Sequence, residues 1–311
     1  MNKQDIDQLN EEFAHKSPHS HLCFKDPDGE YPLIEIQTPQ ANAIIALQGA
    51  HLLSFKPKDE EGNVQEDIIW LSEDAKFKPG KSVRGGIPIC WPWFGPHESD
   101  SDLPAHGFAR TTPWQLLCVE ELDNQNIRIT FTTKPLSETE HMWPADTQVE
   151  YKITIGPKLE MELLTHNNGS EAITIGQALH TYFKVSDVST VMLHGLSDTR
   201  YLDKVDNFQE KRQNGPVTIN QEVDRIYLDT AGECVIEDKG LKRNIAIIKI
   251  GSKSTVVWNP WEATANKMGD LGEEGYKQML CVESANAADD VVTIEPGTSH
   301  HLWVQYNVHE I

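Results

Sequence analysis

The sequence lacks any long hydrophobic run. None of its 311 residues lies in a stretch that approaches the roughly 20 apolar residues a membrane-spanning helix needs. We therefore expect no membrane partner. The first segment, MNKQDIDQLNEEFAHKSPHS, is polar and acidic, unlike a secretory signal or an Arg-rich transit peptide. These features predict a cytoplasmic protein.

Positive charge is also scarce. The chain has 27 Lys and Arg against 48 Asp and Glu, which gives a formal net charge of −21. A surface this negative repels nucleic acid and anionic lipid, so we expect neither as a partner. If the substrate is an anion, a few Arg or Lys side chains must create a local positive pocket against this field.

Paired cysteines and known cofactor motifs are missing. The five cysteines form no CxxC pair and are odd in number, which predicts reduced thiols rather than a disulfide framework or a zinc site. His300 and His301 are adjacent but have no ligand cluster at metal-binding spacing, so no metal is expected. There is no glycine-rich phosphate loop opening a helix and no GxSxG elbow. We expect no cofactor.

Short strand patterns fill most of the chain. Alternation with period two indicates half-buried antiparallel strands, and short apolar runs indicate strands buried on both sides. The alternating segments are residues 127–132, 149–155 and 159–163, and the apolar runs are residues 43–47, 245–250 and 256–258. This pattern predicts an all-β sandwich or barrel.

The predicted organisation is an N-terminal helix or arm over residues 1–25, followed by a single β-sandwich catalytic domain over 26–311. Two segments interrupt the strand pattern. Residues 81–110 are rich in Gly, Pro and aromatic residues, and residues 259–278 form a long polar stretch. Loops of this length in a compact β fold are usually functional.

The first candidate site is VRGGIPICWPWFGPH, residues 83–97. Two glycines allow another backbone or a ligand to approach closely. Arg84 offers a forked, permanent positive charge suited to phosphate. Trp93, with the neighbouring Trp91 and Phe94, presents flat faces on which the C–H face of a sugar ring can pack. The alternative is a proline-kinked strand with core tryptophans.

Two further segments carry histidine and arginine. LPAHGFARTTPW contains His106, a possible hydroxyl partner, and Arg110, a possible second anion clamp, although a lone Arg beside a strand is usually a surface residue. ALHTYFKVSD places His180 in an apolar, aromatic run. It is either a hydrogen-bonded core histidine or a general acid, since imidazole titrates near neutrality.

Two carboxylates complete the candidates. Glu283 follows the apolar run Met279–Val282 in QMLCVESAN, at the end of a predicted core strand. An unpaired charge there would cost several kcal/mol, so Glu283 is expected to have a partner or a function. Asp224 lies in EVDRIY, just before another strand.

Together, RGGIP with its aromatic-Pro-x-Phe-Gly continuation, HGFAR, LHTYF, DRIY and WNPW…CVE resemble the aldose 1-epimerase superfamily. The motifs occur in the family's order, and they resemble the hexose-6-phosphate mutarotase branch specifically. The resemblance extends from roughly residue 30 to the C-terminus. The resemblance implies a galactose-mutarotase-like β-supersandwich of mostly antiparallel strands. Some members carry Gln before the His of HGFAR, where this chain has Ala105, which removes one side-chain hydrogen bond.

By motif, the resemblance implies that His180 is the general acid and Glu283 the general base. Asp224 would hold sugar hydroxyls, and Arg84 and Arg110 would bind phosphate. The implied reaction opens the ring of an aldohexose 6-phosphate, glucose 6-phosphate above all, to the aldehyde and recloses it as the other anomer. The expected partner is this small sugar phosphate, and the expected state is a monomer. A mutarotase of unphosphorylated aldoses and a non-catalytic carbohydrate-binding sandwich remain as alternatives.

Overall fold

The structure is a computed structural model and describes residues 3–133, 139–143 and 146–311. Within these ranges the chain is built almost entirely of antiparallel strands, which confirms the predicted all-β class. The helices are α1 (Lys3–Phe13) and α2 (Trp261–Met268), with four 3-10 turns at Ala109–Thr111, Lys204–Asp206, Gly275–Gln278 and Ala288–Asp290. None of the helices in these ranges is long and apolar enough to cross a membrane.

The strands of the first half are β1 (His21–Lys25), β2 (Leu33–Gln37), β3 (Ala41–Ala46), β4 (His51–Pro57), β5 (Ile89–Cys90), β6 (Gln115–Glu121), β7 (Ile127–Thr133), β8 (Thr147–Ile155), β9 (Leu159–Asn167), β10 (Ile173–Ile175) and β11 (Gln177–Leu179). Those of the second half are β12 (Tyr182–Lys184), β13 (Met192–His194), β14 (Arg200–Asp203), β15 (Gln209–Arg212), β16 (Val223–Tyr227), β17 (Cys234–Asp238), β18 (Arg243–Ile250), β19 (Ser254–Asn259), β20 (Met279–Asn286), β21 (Val292–Ile294) and β22 (Ser299–Glu310).

Two eight-stranded sheets form the body. One has the order β15-β14-β16-β19-β20-β11-β5, with β12 also pairing with β20, and the other has the order β13-β17-β18-β22-β9-β8-β7-β6. A four-stranded sheet, β1 to β4 in sequence order, and the pair β10-β21 complete the molecule. Sequential hairpins dominate the second sheet, whereas the first gathers strands distant in sequence.

The core lies between the two large sheets. Leu179, Phe183 and Val282 of the first sheet belong to the same buried cluster as Met161 and Tyr306 of the second. The rings of Phe183 and Tyr306 are 4.9 Å apart. Because side chains alternate along a strand, residues next to these core positions point to the other face of the first sheet. That outer face carries the functional groups described below.

The N-terminal segment contains more regular structure than an arm. Helix α1 packs Ile6 and Phe13 into the core cluster. The side chain of Asn10 makes two hydrogen bonds to the backbone of Phe24, one from its amide nitrogen and one to its oxygen, each 2.9 Å long. Strand β1, within the predicted arm, pairs with β2. The domain boundary after residue 25 stays a prediction.

The polar stretch 259–278 was expected to be a loop, and that expectation was wrong in part, because it contains α2 and a 3-10 turn. Asn259 organises both ends. Its side-chain Oδ1 accepts from the N–H of Trp261 (2.9 Å), and its side-chain Nδ2 donates to the carbonyl of Met279 (2.9 Å). Gly269, at φ 67°, ends the helix with its N–H bonded to the carbonyl of Ala265.

Candidate active site

Strand pairing brings His180 and Glu283 together. Leu179 pairs with Ser284 and Tyr182 pairs with Cys281 in one continuous register along β20. This register leaves His180 directly across from Glu283. The backbone N–H of His180 donates to the carbonyl of Pro88 (3.0 Å) instead of to β20, which separates β11 from β12. The interruption turns the imidazole toward the carboxylate.

The two side chains form a close, buried pair. Nε2 of His180 lies 3.4 Å from Oε1 of Glu283, and the side chains are 11% and 1% exposed. Neither Nδ1 of His180 nor Oε2 of Glu283 has a hydrogen-bond partner. Buried polar atoms are nearly always satisfied, so unpartnered ones at a cavity are available to a ligand. Glu283 thus has the partner that was predicted, but its predicted position at the end of the strand was wrong, because β20 continues from Glu283 to Asn286.

Burial controls the protonation of the pair. It raises the pKa of Glu283 well above its usual range, and the nearby carboxylate of Asp224 raises this pKa further. Burial also lowers the pKa of His180 well below its usual range, and His106 and Arg110 push it lower still. Both shifts favour the uncharged forms. Burial therefore favours a protonated carboxyl group beside a neutral imidazole.

A cavity of about 290 Å³ opens over this pair. The predicted residues Arg84, His106, Arg110 and Asp224 line it together with His180 and Glu283. Trp93, the remaining predicted site residue, is not among the residues lining this cavity. Its indole N–H donates to the carbonyl of Pro104 (2.9 Å), and its ring packs edge-on against Phe108.

Other rings supply the apolar wall of the cavity. Phe94, Tyr182 and Trp258 line it, and the ring of Tyr182 stacks on the imidazole of His180 with centroids 5.0 Å apart. Trp91 is buried, as the proline-kinked alternative expected for the tryptophans of this segment. The sequence pattern identified the correct segment, but the neighbouring ring, Phe94, is the one that faces the cavity.

The glycine pair positions Arg84. Gly85 and Gly86 have φ values of 104° and 71°, and a Cβ on Gly85 would lie 2.6 Å from the carbonyl oxygen of Trp70. The predicted close approach of backbones is thus present. Arg84 Nε donates to Asp270 (3.1 Å), and its Nη1 donates to the hydroxyl of Tyr182 (3.0 Å). The guanidinium is held at the cavity, already paired with one carboxylate.

Arg110 enters from the turn at Ala109–Thr111. It donates through Nη2 to the carbonyl of Ala105 (2.9 Å) and makes no ion pair with a carboxylate in the part of the chain described. His106 lies beside it, and burial lowers the pKa of His106 to about 3, with Arg110 lowering it further. Nδ1 of His106 accepts from the N–H of Gly95 (3.3 Å). The ring therefore presents an Nε2 proton, as a hydroxyl partner would.

Sequence reasoning missed two charged residues. Lys204 lines the cavity and pairs with Asp224 through Nζ and Oδ2, 2.6 Å apart. Asp270 pairs with Arg84. Neither residue lies in a recognisable motif, so nothing in the sequence indicated them. Among the described residues, no group of three or more His, Cys, Asp and Glu is arranged to hold a metal ion.

A solved structure of similar shape shows the class of fold to which the chain belongs. The structure superposes on a galactose mutarotase-like protein from Lactobacillus casei with a TM-score of 0.69, covering 89% of this chain and 100% of that one. At 16% identity this likeness shows the fold, which is the predicted galactose-mutarotase-like β-sandwich.

Sequence similarity then defines the family. The aldose 1-epimerase family model matches residues 32–307. A protein of Escherichia coli named "Putative glucose-6-phosphate 1-epimerase" is 41% identical over 261 residues, 84% of this chain and 85% of that one. The crystal structure of a "putative mutarotase (YeaD)" from Salmonella typhimurium is 36% identical, with a TM-score of 0.85, and covers 93% of this chain and 94% of that one. The chain belongs to the aldose 1-epimerase family and is an isomerase.

Proposed function

We propose that this enzyme interconverts the α and β anomers of aldohexose 6-phosphates, with glucose 6-phosphate as the expected substrate. The observation that carries the proposal is the approach of His180 Nε2 to Glu283 Oε1, 3.4 Å apart, on a polar cavity that also contains two arginines. Two relatives named as glucose-6-phosphate 1-epimerases support the phosphosugar as substrate. We expect the enzyme to work in the cytoplasm as a monomer.

In the proposed mechanism Glu283 removes the proton from the C1 hydroxyl while His180 donates a proton to the ring oxygen O5. The C1–O5 bond breaks, and the aldehyde forms. Rotation about C1–C2 presents the other face of the carbonyl, and the same proton transfers in reverse close the ring. Each positioned proton transfer contributes about 10²–10⁴ in rate. No further reactant is consumed.

The phosphate has a second function in this scheme. The positive charge of Arg110 is one of the causes that lower the pKa of His180. A phosphate dianion bound to the arginines offsets that charge. It therefore raises the pKa of His180 and favours the protonated imidazole that the proposed acid needs. The same arginine charge also lowers the pKa of Glu283, so a bound phosphate raises that pKa as well. Phosphate recognition thus helps to prepare the acid.

Arg110 is the stronger phosphate ligand of the two arginines by this argument. Arg84 already pairs with Asp270, so a phosphate must compete with that carboxylate, whereas Arg110 donates only to a backbone carbonyl among the described residues. A hydrogen bond to a charged group contributes about 1.5–3 kcal/mol, or about 10- to 100-fold in affinity. We expect this contribution to make the enzyme bind the phosphosugar more tightly than the free sugar.

The test is anomer exchange followed by NMR magnetisation transfer, with His180→Asn, Arg110→Gln and the exposed-site control Arg212→Gln. We expect His180→Asn to abolish catalysed exchange. Arg110→Gln should lower kcat/KM about 10- to 100-fold for glucose 6-phosphate, and much less for glucose. Arg212, 68% exposed, should tolerate the change.

Three outcomes would contradict the proposal. Near-normal exchange in His180→Asn would remove the catalytic assignment. Equal losses for glucose and glucose 6-phosphate in Arg110→Gln would remove the phosphate clamp and favour a mutarotase of unphosphorylated aldoses. Binding of sugar without any catalysed exchange by the wild type would favour a carbohydrate-binding protein.

A further inference from the structure

A second charged pair lies on the cavity wall. Lys204 and Asp224 are joined at 2.6 Å, and their side chains remain 24% and 21% exposed. An ammonium has three protons and a carboxylate has two oxygens, so this one contact leaves hydrogen-bonding capacity on both groups. No other described residue makes a hydrogen bond or ion pair with either side chain. The pair therefore offers donors and an acceptor side by side to whatever occupies the cavity.

The turn that carries Lys204 is braced. The carboxylate of Asp203 accepts from the ammonium of Lys211 (2.8 Å), and the carbonyl of Asp203 accepts from the N–H of Phe208 (2.8 Å). Asn207 and Phe208 both adopt left-handed conformations, with φ of 50° and 60°. Non-glycine residues in this region cost about 1–3 kcal/mol each and persist where their surroundings hold them. Lys204 is thus presented by a fixed turn rather than a mobile loop.

The strand order places the Lys204–Asp224 pair to one side of the catalytic pair, His180 and Glu283. Asp224 lies on β16, and the sheet continues through β19 to Glu283 on β20. His180 follows on the far side of β20, next to β11 and β5. The turn that carries Arg110 packs on β5. The order across the sheet is therefore Lys204 with Asp224, then Glu283, then His180, then Arg110.

The same strands show that these groups share one face. Val256 pairs with both Ile226 and Glu283, so the three side chains point to the same side of the sheet. Asp224 is two residues from Ile226 and points the same way, because successive side chains alternate. Neighbouring strands are about 4.8 Å apart, so β16 and β20 are separated by about 10 Å, a span that one sugar ring with its hydroxyls fills.

A hexose 6-phosphate has a matching order of groups. From the phosphate on C6 the ring runs through C5 to O5, then to C1, and then to C2. With phosphate at Arg110, O5 at His180 and the C1 hydroxyl at Glu283, the next group along the sheet is the C2 hydroxyl. In this placement the C2 hydroxyl lies next to Lys204 and Asp224. The following inference rests on the proposed function.

We propose that Lys204, acting with Asp224, binds the C2 hydroxyl and makes the enzyme specific for the configuration of the sugar at C2. Nζ of Lys204 donates to the hydroxyl oxygen, and Asp224 accepts its proton. An equatorial hydroxyl, as in glucose 6-phosphate, has a partner for both roles. A 2-deoxy sugar has no hydroxyl to bond to Lys204 and Asp224. An axial hydroxyl, as in mannose 6-phosphate, points away from both side chains.

The experiment compares kcat/KM for glucose 6-phosphate, 2-deoxyglucose 6-phosphate and mannose 6-phosphate by NMR anomer exchange. The variants are Lys204→Met, Lys204→Arg and the control Lys239→Met, whose side chain is 72% exposed. We expect the wild type to prefer glucose 6-phosphate over its 2-deoxy analogue by about 10- to 100-fold. Lys204→Met should reduce that preference to a few-fold, chiefly through loss of activity on glucose 6-phosphate. Lys204→Arg should retain part of it, and Lys239→Met all of it.

The results separate this inference from the proposed function. Equal losses on all three sugars in Lys204→Met would overturn the inference, because they would show that the lysine acts only through the charge or position of the catalytic groups. A wild type without preference at C2 would overturn it too, whatever the folding of the variants. Absence of catalysed exchange with every sugar phosphate would instead refute the proposed function.

Discussion

Replacing Glu283 by Gln tests both chemistry and stability at one buried position. The carboxylate is 1% exposed, faces His180 at 3.4 Å, and has one oxygen without a partner. Glutamine has nearly the same shape, so the cavity should keep its form. It has no basic oxygen that can take a proton from a hydroxyl. We expect catalysed anomer exchange to fall by about 10²–10⁴, the contribution of one positioned proton transfer.

The same substitution should stabilise the folded protein at neutral pH. Burial raises the pKa of Glu283 well above its usual value of 4.5. In the unfolded chain the carboxyl ionises near pH 4.5, so as the pH rises from there toward the folded pKa the native state loses stability. Each unit of difference costs about 1.4 kcal/mol. Glutamine does not titrate and avoids this cost.

Thermal melts of wild type and Glu283→Gln between pH 4 and pH 8 measure the effect. We expect the melting temperature of the variant to exceed that of the wild type at pH 7 to 8, with the difference shrinking as the pH falls to 4. For a domain of this size a change of about 1 kcal/mol moves the melting temperature by about 2 °C or somewhat less. A variant that is less stable by the same amount at every pH would refute the assignment of a costly buried carboxylate. Unchanged exchange rates would refute its role as base.

Two further predictions concern the pH profile and the backbone of the site. Activity on glucose 6-sulfate, whose anionic group does not titrate in this range, should be bell-shaped in pH: the acid limb marks the gain of a second titratable proton by the His180–Glu283 pair, and the alkaline limb marks the loss of the only one. A profile that is flat from pH 4 to pH 10 would contradict the assignment of His180 and Glu283 as the groups whose protonation controls the activity. Gly107→Ala should be strongly destabilising or prevent folding, since its Cβ would lie 1.9 Å from the carbonyl oxygen of Trp91, whereas Gly215→Ala, at a similar φ of 68° with nothing within 4 Å, should cost only about 1 kcal/mol. Similar melting temperatures for the two variants, measured by calorimetry, would show that the close approach at Gly107 does not matter.

Much of the site could be named in advance because its residues lie in short motifs. His180, Glu283, Arg84, His106, Arg110 and Asp224 all line the cavity. Trp93 and Phe94 show the limit of such reasoning. Both are aromatic residues in the same Pro- and Gly-rich segment, and their order gives no indication of which ring faces the cavity. That choice depends on the path of the backbone, which directs the indole N–H of Trp93 to Pro104.

The helix in residues 261–268 was missed for a related reason. Its sequence is short, and it begins after a proline in a polar stretch, so neither length nor hydrophobic periodicity indicated it. Asn259 fixes it through bonds that reach from Trp261 to Met279. Such a bond joins residues distant in sequence, and local propensity contains no information about it.

The sequence alone determined the class of fold, since alternation of apolar and polar residues specifies half-buried strands wherever it occurs. It also determined which residue types were available for chemistry. The tertiary structure decided which of these residues lie close enough to act together. His180 and Glu283 face each other because β11, β12 and β20 share one register, and Lys204 joins Asp224 because a braced turn brings it to the same wall. Register and turn geometry arise from contacts between distant segments, so only the folded chain defines them.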